Sequence, residues 1–421
     1  MSRSILILEP ESSGIDLVAT AAELGLFPHV FDRRPIDALP EVIRAAVGGG
    51  RAAHTMVDTL SVRAVAAAVA ELERRVEVAA IVPGFEYAVP VAAEVAAATG
   101  LPTAGPESAD DLSDKERMNR VLSDSGILVA SAVPLQVSTA TDADLLRIAG
   151  TVGFPAVVKP VNGCGSVWVR RVDDLDGLRA YLDAARAGPL NDMGRLVGER
   201  LLVESYVVGP EYSVEGYVTE SSATVVAVTE KSLGPEPHFV EVGHVVQADV
   251  AEADRRDLEA VAHAAVKALA LVRGVFHLEA RLTGRGPVVL EVAARLGGDR
   301  IHRLVSAVTG CHLPAVMISC LAGLELPSPA RPIAGVAASR FFTVPRPGRI
   351  TDPAGLRRAL GELPGCLEME LSCSPGERLV PATDFRQRFG HVVLAAADRT
   401  ALSEVSAEAA RLVSAAIERT S

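Results

Sequence analysis

The chain has 421 residues, more than one ordinary hydrophobic core holds, so its length predicts two to four domains or subdomains. Hydrophobic residues make up 49% of it and charged residues 22%, which excludes an intrinsically disordered chain. The formal net charge of −12 gives no global reason to expect a nucleic acid or an anionic membrane as partner. Any bound phosphate therefore needs a local positive pocket.

Residues 1–112 alternate between strand and helix patterns. The apolar run 5–8 is followed by a polar turn that ends at Gly14, and a helical pattern then covers 15–24. The alternation continues with a helix at 62–76, a strand at 78–82 and a helix at 89–98. This pattern predicts a small, doubly wound α/β domain.

A new unit is predicted to begin at residue 113 and to extend to 323. Ser113, followed three residues later by Glu116, matches a capping box, so a helix is expected to start here and to end near 125–126. Lys115 lies in its first turn.

Residues 151–207 contain two predicted strands around a glycine loop, then a helix at 175–187 and a strand at 200–206. Lys159 ends the first strand, and a loop with Gly163, Gly165 and Ser166 follows. An ammonium group at a strand end, beside glycines that expose backbone N–H groups, suits a triphosphate. The lysine precedes the glycines, so this is not a Walker loop. The alternative is a hairpin turn beside a solvated lysine.

Residues 201–216 resemble a second hairpin, with Gly209 and Pro210 at its turn. Glu204 and Glu211 bracket a short connector whose backbone can hydrogen-bond a purine edge, while Glu211 can accept from ribose hydroxyls. The alternative is that both carboxylates are solvated near a turn. Strand patterns then continue to residue 250, and a helix is predicted over 253–271.

The segments 275–283 and 287–295 are predicted to form a hairpin closed by a three-residue loop, 284–286. That register places Glu279 opposite Glu291, with Cβ atoms about 5 Å apart. At an effective dielectric near 20 the two charges repel by roughly 3 kcal/mol, a conflict that a bound Mg²⁺ or Mn²⁺ removes. The alternative is an exposed hairpin whose carboxylates diverge into water.

Three prolines in the segment 324–332 predict a linker. Beyond it, strand patterns at 336–343, 366–372 and 391–396 and a helix at 401–417 predict a C-terminal α+β unit, residues 333–421.

The five cysteines are odd in number and form no Cys-x-x-Cys pairs, so they are expected to be reduced thiols. The first residues lack a signal-peptide run, and no segment reaches about 20 apolar residues. A cytoplasmic location is expected.

Taken in order, Lys115, Lys159 with its glycine loop, the 204–211 connector and the Glu279, Glu291 and Arg295 group resemble the ATP-grasp superfamily of ligases. The resemblance covers the whole chain and is carried by the order of the four motifs. It implies an ATP-grasp fold of α/β and α+β type, with an N-terminal doubly wound prelude domain, a lid subdomain at about 151–207, a central antiparallel sheet and the C-terminal α+β unit.

The resemblance also implies roles for the motif residues. ATP and Mg²⁺ (or Mn²⁺) are the expected cofactors, and Arg295 is expected to stabilise an acyl phosphate. The expected ATP contacts are Lys115, Lys159, Gly163, Gly165, Ser166, Glu204, Val207 and Glu211. The expected metal ligands are Glu279 and Glu291.

The family's metal motif is Glu-x-Asn-x-Arg, but here Ala293 stands in place of the asparagine between Glu291 and Arg295. Either one metal has fewer protein ligands and more water, or another residue substitutes. The 291–299 stretch and His277 are similar to the L-amino acid ligase branch. That branch implies that ATP phosphorylates a carboxylate and that an amine attacks the acyl phosphate to form an amide.

The segment 231–244 resembles one that lines the amino-acid pocket of those ligases. It makes Glu241 and His244 candidates for an ammonium contact or, for His244, for proton transfer. The alternative for His244 is a structural, hydrogen-bonded histidine. Further substrate candidates are Glu86, Gly297 and Gly298.

Two other functions stay open. One is a carboxylase or purine-pathway enzyme of the same fold that uses bicarbonate or carboxyphosphate, and the other is a nucleotide-binding module without catalysis. Small-molecule carboxylate and amine substrates are the expected partners, and a homodimer is possible. No nucleic acid or membrane partner is expected.

Overall fold

The computed structural model describes residues 3–102, 104, 110–188, 191–196, 198–220 and 222–419. The chain begins with a parallel four-stranded sheet in the order β3-β2-β1-β4, as the doubly wound pattern predicted. Strand β1 is buried along its whole length, because helices cover both faces of the sheet. Its elements are β1 Ser4–Leu8, α1 Asp16–Glu23, β2 Phe27–Asp32, α2 Glu41–Gly48, β3 Ala53–Met56, α3 Val62–Glu73, β4 Val78–Pro83 and α4 Val89–Thr99.

A second, antiparallel sheet in the order β5-β10-β6-β7 follows. Its hydrophobic face packs against α6 and α7. The elements of this part are α5 Lys115–Asp124, β5 Ala132–Gln136, α6 Asp142–Val152, β6 Ala156–Pro160, β7 Arg170–Val172, α7 Leu175–Ala187, β8 Asn191–Asp192, β9 Arg195–Leu196 and β10 Arg200–Ser205.

The largest sheet has eight strands in the order β15-β14-β11-β12-β13-β16-β20-β18. It begins with β11 Glu211–Thr219, β12 Ser222–Leu233, β13 Glu241–Val246, α8 Glu252–Ala268, β14 Gly274–Thr283, β15 Gly286–Ala293, α9 Ile301–Thr309 and α10 Leu313–Ala322. After an irregular stretch that includes the predicted linker, the chain continues with β16 Val336–Phe341, β17 Gly348–Ile350, α11 Pro353–Gly361, β18 Cys366–Leu371, β19 Arg378–Leu379, β20 Gly390–Ala396, α12 Arg399–Ala416 and β21 Ile417–Arg419. Strands β19, β17 and β21 form a small separate sheet.

The start of α5 differs from the prediction. Asp114, not Ser113, is the N-cap, and its carboxylate accepts from the backbone N–H groups of Glu116 (3.0 Å) and Arg117 (3.1 Å). Both residue types make good caps, so the pattern alone does not decide between neighbours. The helix still begins at Lys115.

The predicted hairpin over 201–216 is wrong. Strand β10 pairs with β5 and β6 in the second sheet, whereas β11 pairs with β12 and β14 in the largest one. Residues 206–210 therefore cross between two sheets. Gly209 is needed at the crossing, because a Cβ there would lie 1.9 Å from the carbonyl oxygen of Leu282.

The β14–β15 hairpin pairs Glu279 with Glu291, as predicted, but for a different reason. Thr283 faces Gly286, so the loop has two residues and not three. A bulge between Glu279 and Ala280 on one strand and Val289 and Glu291 on the other then shifts the register by one residue. The bulge restores the opposition of the two carboxylates.

No single helix among the described residues is both long and apolar enough for a membrane span. Only together are helices α9 and α10 long and apolar enough, and the chain bends by 99° between them. Most residues of α10 are buried in the core that the first sheet shares with the largest one.

Candidate active site

A cavity of about 230 Å³ lies where the N-terminal parallel sheet, the second sheet and the largest sheet meet. Two of the predicted site residues, Glu86 and Gly297, lie behind its wall. The others line it, namely Lys115, Lys159, Gly163, Gly165, Ser166, Glu204, Val207, Glu211, Glu241, His244, Glu279, Glu291, Arg295 and Gly298. Motifs that lie almost two hundred residues apart in the chain thus share one site.

Lys115 and Lys159 bring two ammonium groups to this cavity. Helix α5 presents Lys115, whose Nζ donates to the carbonyl oxygen of Gly163 at 2.6 Å and to Glu291 Oε1 at 3.0 Å. Burial lowers the pKa of Lys115, but the nearby carboxylates of Glu291 and Glu86 outweigh it and raise that pKa. Strand β6 presents Lys159, which forms an ion pair with Glu204 at 2.7 Å. Lys115 is therefore held protonated at one end of the cavity.

The glycine loop, residues 163–166, runs directly after β6. Gly165 has φ +58° and Ser166 φ +57°, a left-handed backbone that glycine adopts without a Cβ penalty. A Cβ at Gly165 would also lie 2.6 Å from the ring of Phe385, which belongs to the C-terminal part of the chain. Phe385 therefore covers the loop on one side.

The connector between the two sheets is fixed by Arg281 of β14. Its Nη1 donates to the carbonyl oxygen of Val207 at 2.7 Å, and its Nε donates to Glu211 at 3.0 Å. Its guanidinium lies over the ring of Tyr206 at 5.3 Å. Two of the predicted ATP contacts, Val207 and Glu211, thus depend on one arginine.

Lys231 of β12 joins three carboxylates. Its side chain is 2% exposed, and its Nζ lies 2.5 Å from Glu279, 2.7 Å from Glu241 and 3.0 Å from Glu211. Burial lowers the pKa of Lys231, but the three carboxylates raise it well above its ordinary value. The lysine therefore carries its charge in the interior of the site.

His277 approaches Glu279 from the other side. Its Nε2 lies 3.1 Å from Glu279, and its Nδ1 lies 2.9 Å from Glu215. Burial lowers the pKa of His277, but Glu215 and Glu279 raise it to about 10. Burial likewise opposes ionisation of Glu279, but Lys231 and His277 hold its pKa well below the ordinary value. Glu279 is thus an anion between two cations.

Arg295 follows the end of β15 and is held by Glu86. Its Nε donates to Glu86 at 2.5 Å, and its Nη1 donates to the carbonyl oxygen of Leu296 at 2.7 Å. Burial lowers the pKa of Arg295, but Glu86 and Glu291 raise it. Glu86 therefore positions a cation that lines the cavity. Gly297 lies behind it, where a Cβ would come within 2.9 Å of His277 Nδ1.

The far end of the cavity contains His244, Asp299 and Arg388. The His244 side chain is buried, with Nε2 3.0 Å from Asp299, and its Nδ1 has no hydrogen-bond partner among the described residues. Arg388 donates to both oxygens of Asp299, each at 2.7 Å, and stacks on Phe341 at 3.9 Å. Burial opposes ionisation of Asp299, but Arg388 and His244 hold its pKa well below the ordinary value. Burial raises the pKa of Glu241.

Sequence reasoning gave no role to several residues of this site, namely Lys231, Arg281, Asp299, Phe385 and Arg388. Lys231 lies on the same face of β12 as the buried Thr229, but that face is identified only by the packing of the folded chain. Arg388 and Phe385 lie far along the chain from the other residues, and no spacing rule connects them.

The donor set fits a hard divalent cation. Glu279 and Glu291 are opposed on adjacent strands, line the same cavity and offer only oxygen atoms. Each already forms an ion pair with a lysine, Glu279 with Lys231 and Glu291 with Lys115, so positive charge is stabilised there. Ala293, which pairs with His277, is fully buried and offers no ligand atom.

Two family models match the chain. The first is an ATP-grasp domain over residues 152–303, and the second is L-amino acid ligase C-terminal domain 2 over residues 340–418. The two matches follow one another along the chain without overlap.

Among curated relatives, the uncharacterized protein y4rH of Sinorhizobium fredii is 28% identical over 95% of this chain and 80% of its own length. Carnosine synthase 1 of Gallus gallus is 29% identical over 50% of this chain, but that match spans 24% of the carnosine synthase.

Among solved structures, the L-amino acid ligase from Bacillus licheniformis has a TM-score of 0.78 at 19% identity, covering 100% of this chain and 99% of that one. A carboxyaminoimidazole ribonucleotide synthase, from an Aspergillus clavatus source and solved with ATP, has a TM-score of 0.74 at 17% identity, covering 99% of each chain. At these identities the two structures support the fold alone.

Proposed function

Because the chain belongs to the ATP-grasp superfamily and carries an L-amino acid ligase C-terminal domain, we propose that it is a ligase that joins an amino acid or a small acid to an amine. ATP would phosphorylate the carboxylate to give an acyl phosphate and ADP, and the amine would then displace phosphate as the amide forms. The single observation that carries the proposal is the meeting of Lys115, Lys159, Arg295 and the Glu279–Glu291 pair in one cavity.

The nucleotide would lie between the glycine loop and the connector. Lys115 and Lys159 supply positive charge for the phosphates, and backbone N–H groups of residues 163–166 can approach them closely. Glu204 and the backbone at Val207 would face the adenine, and Glu211 the ribose. Arg281 keeps this wall in place before the nucleotide arrives, which lowers the ordering cost of binding.

Glu279 and Glu291 would hold Mg²⁺ or Mn²⁺, which when bound neutralises charge on the phosphates. Arg295 would bind the oxygens of the acyl phosphate, and Glu86 fixes the direction of its guanidinium. A fixed cation aimed at developing negative charge stabilises a transition state without reorganisation.

The amine would bind toward Glu241, His244 and Gly298. Glu241 can accept from an ammonium group. In one tautomer His244 donates through Nε2 to Asp299 and keeps Nδ1 unprotonated, the form that could accept a proton from the amine. Since Nδ1 is buried, proton transfer would require the side chain to shift when substrate binds.

We propose the same division into units as the sequence analysis: a prelude domain over 1–112, an ATP-grasp domain over 113–323 with a lid at about 151–207, and a C-terminal unit over 333–421. The two family matches, 152–303 and 340–418, fall within the second and the third of these units.

The test is an activity panel. Purified protein is given ATP, Mg²⁺ and amino acids singly and in pairs, while phosphate release is followed and products are weighed by mass spectrometry. Amide products that need both substrates support the proposal. Phosphate release that depends on bicarbonate and yields no amide would favour the carboxylase alternative. ATP binding without turnover on any substrate would favour a silent nucleotide-binding module.

A further inference from the structure

A short hairpin in the lid contacts the N-terminal unit through buried polar groups. Strands β8 and β9, residues 191–196, form this hairpin and pair only with each other among the described strands. Two-stranded hairpins are marginally stable in isolation, and this one has two residues in each strand. Its position must therefore come from contacts outside itself.

The first contact joins the hairpin to the N-terminal unit and to the glycine loop. Asp192 is fully buried, and its Oδ2 accepts from the hydroxyl of Tyr87 at 2.6 Å. The same oxygen accepts from the thiol of Cys164, in the glycine loop, at 3.8 Å. Burial, together with the charges of Glu86 and Asp192, raises the pKa of the Cys164 thiol to about 12, so it keeps its proton as a donor. One carboxylate oxygen thus connects Tyr87 with the glycine loop.

The second contact is an ion pair between Arg195 of the hairpin and Glu9, which follows β1. The two side chains are 11% and 8% exposed. The guanidinium of Arg195 also lies 4.8 Å from the centre of the Tyr87 ring. Arg33 of the N-terminal unit donates to the carbonyl oxygen of Met193 at the hairpin turn. Tyr87 therefore takes part in both contacts.

These contacts exist only while the lid lies against the N-terminal unit, because their donors and acceptors belong to different parts of the chain. We infer that Tyr87, Asp192, Arg195 and Glu9 form a latch that positions the glycine loop over the cavity. We refer to these four residues as the latch. They are positioning residues, since none of them lines the cavity.

The latch would limit the access of water to the site, an inference that rests on the proposed ligase function. An acyl phosphate survives until the amine attacks only if the site is closed to water. A weaker latch would let the loop open more often, so some acyl phosphate would hydrolyse and ATP would be consumed without forming amide. The latch would thus set the fraction of ATP turnovers that yield product.

The test uses the full-length protein and Tyr87→Phe, which removes the hydrogen bond to Asp192 but keeps the ring beneath Arg195. Two quantities are measured: amide hydrogen exchange of residues 163–169, and amide formed per phosphate released. We expect exchange to quicken on the order of fivefold, the size expected from one lost hydrogen bond. We expect amide per phosphate to fall at limiting amine, because hydrolysis then competes best.

Arg195→Met is the second variant, and Arg179→Met is its matched control. Arg179 lies in the same lid on α7, is more exposed, and pairs with Asp142 of α6 and Asp176 of α7 rather than with the N-terminal unit. The control should change neither quantity.

The outcomes distinguish a failure of the latch inference from a failure of the proposed ligase function. If wild-type protein forms no amide on any substrate, the proposed function fails, but the hydrogen-exchange measurement still decides the latch. If Tyr87→Phe is folded and its loop exchanges at the wild-type rate, the latch inference is overturned. Faster exchange with an unchanged ratio of amide to phosphate would overturn the role in excluding water.

Discussion

Two carboxylates in the cavity are each neutralised by a different lysine, although the sequence brings the carboxylates themselves face to face. Glu279 pairs with Lys231 and Glu291 with Lys115. The roughly 3 kcal/mol repulsion expected between two such charges is thereby reduced before any metal binds. Each carboxylate therefore has its own cationic partner in the folded protein.

Glu291→Ala is expected to reduce turnover at least about 100-fold, the size typical of a lost transition-state charge contact. The fold should persist, because Glu291 is partly exposed and Lys115 retains the carbonyl oxygen of Gly163. Steady-state phosphate release and circular dichroism measure the two effects. Glu230→Ala is the control, since Glu230 lies on β12 and pairs with Arg399. Wild-type turnover in Glu291→Ala would rule out the metal assignment.

Lys231→Met is expected to lower the free energy of unfolding by about 3–5 kcal/mol, because it leaves buried carboxylates without their shared cation. Urea denaturation of variant and wild type gives this difference. The matched control is Lys267→Met, since Lys267 is an exposed lysine of α8. A loss no larger than that of the control would mean that Lys231 does not stabilise the cluster.

At this scale the sequence predicted the acidic residues better than their partners. Glu279 and Glu291 were found because a hairpin has a local pairing rule. Lys231, Arg281 and Arg388 reach the site from strands and turns whose long-range pairing leaves no local pattern, so they became visible only in three dimensions.

At the scale of elements, the helix that presents Lys115 depends on its first turn. Asp114 caps α5 and also forms an ion pair with Arg200 of β10 at 2.8 Å. The capping residue therefore also holds α5 against the lid sheet.

Asp114→Ala is expected to cost about 1 kcal/mol of stability, the usual size of a lost helix cap. It should also weaken ATP binding, because Lys115 follows directly. Ser113→Ala is the matched comparison, since the Ser113 hydroxyl donates to the Asp110 carbonyl oxygen at 3.4 Å and does not cap the helix. Thermal unfolding and ATP titration measure both variants. Equal losses in the two would contradict the observed cap.

The elements themselves were largely predictable, whereas their pairing was not. The helix at 175–187 and the strand at 78–82 agree closely with α7 and β4. The 201–216 hairpin failed because a Gly-Pro turn between two strands also fits a crossing between sheets. The carboxylate pair was predicted correctly although the loop length was wrong, because a bulge compensated for it.

At the scale of the whole molecule, a charged contact joins the first sheet's helices to the largest sheet's helices. Asp16 of α1 accepts from His302 of α9 at 2.7 Å and pairs with Arg303 at 2.9 Å. Burial raises the pKa of Asp16, but the hydrogen bond from His302 and the charge of Arg303 lower it to about 2, while burial lowers the pKa of His302 itself.

Asp16→Asn is therefore expected to destabilise the protein by about 2 kcal/mol near neutral pH. A depressed pKa stabilises the fold above the ordinary value, near 3.8, and that contribution disappears as the pH falls toward 2. The difference between variant and wild type should thus shrink below about pH 4. Urea denaturation across pH 3–7 measures it, with exposed Asp37→Asn as control. A difference that does not depend on pH would contradict the assigned ion pair.

The predicted linker shows what composition misses at this scale. The proline-rich segment lacks regular structure, as expected, but the backbone ladder continues beyond it through β13 and β16. Residues 243–246 pair with residues 337–340, so His244 lies directly beside Ser339. A segment that lacks regular structure thus does not interrupt the sheet.

This continuity has a consequence for the order of synthesis. As the chain leaves the ribosome, β13 has β12 on one side and an unpaired edge on the other until β16 emerges. Arg388, which fixes Asp299, appears later still. A nascent chain can therefore build the connector wall of the cavity early, but it completes the far end only after residue 388 has left the ribosome.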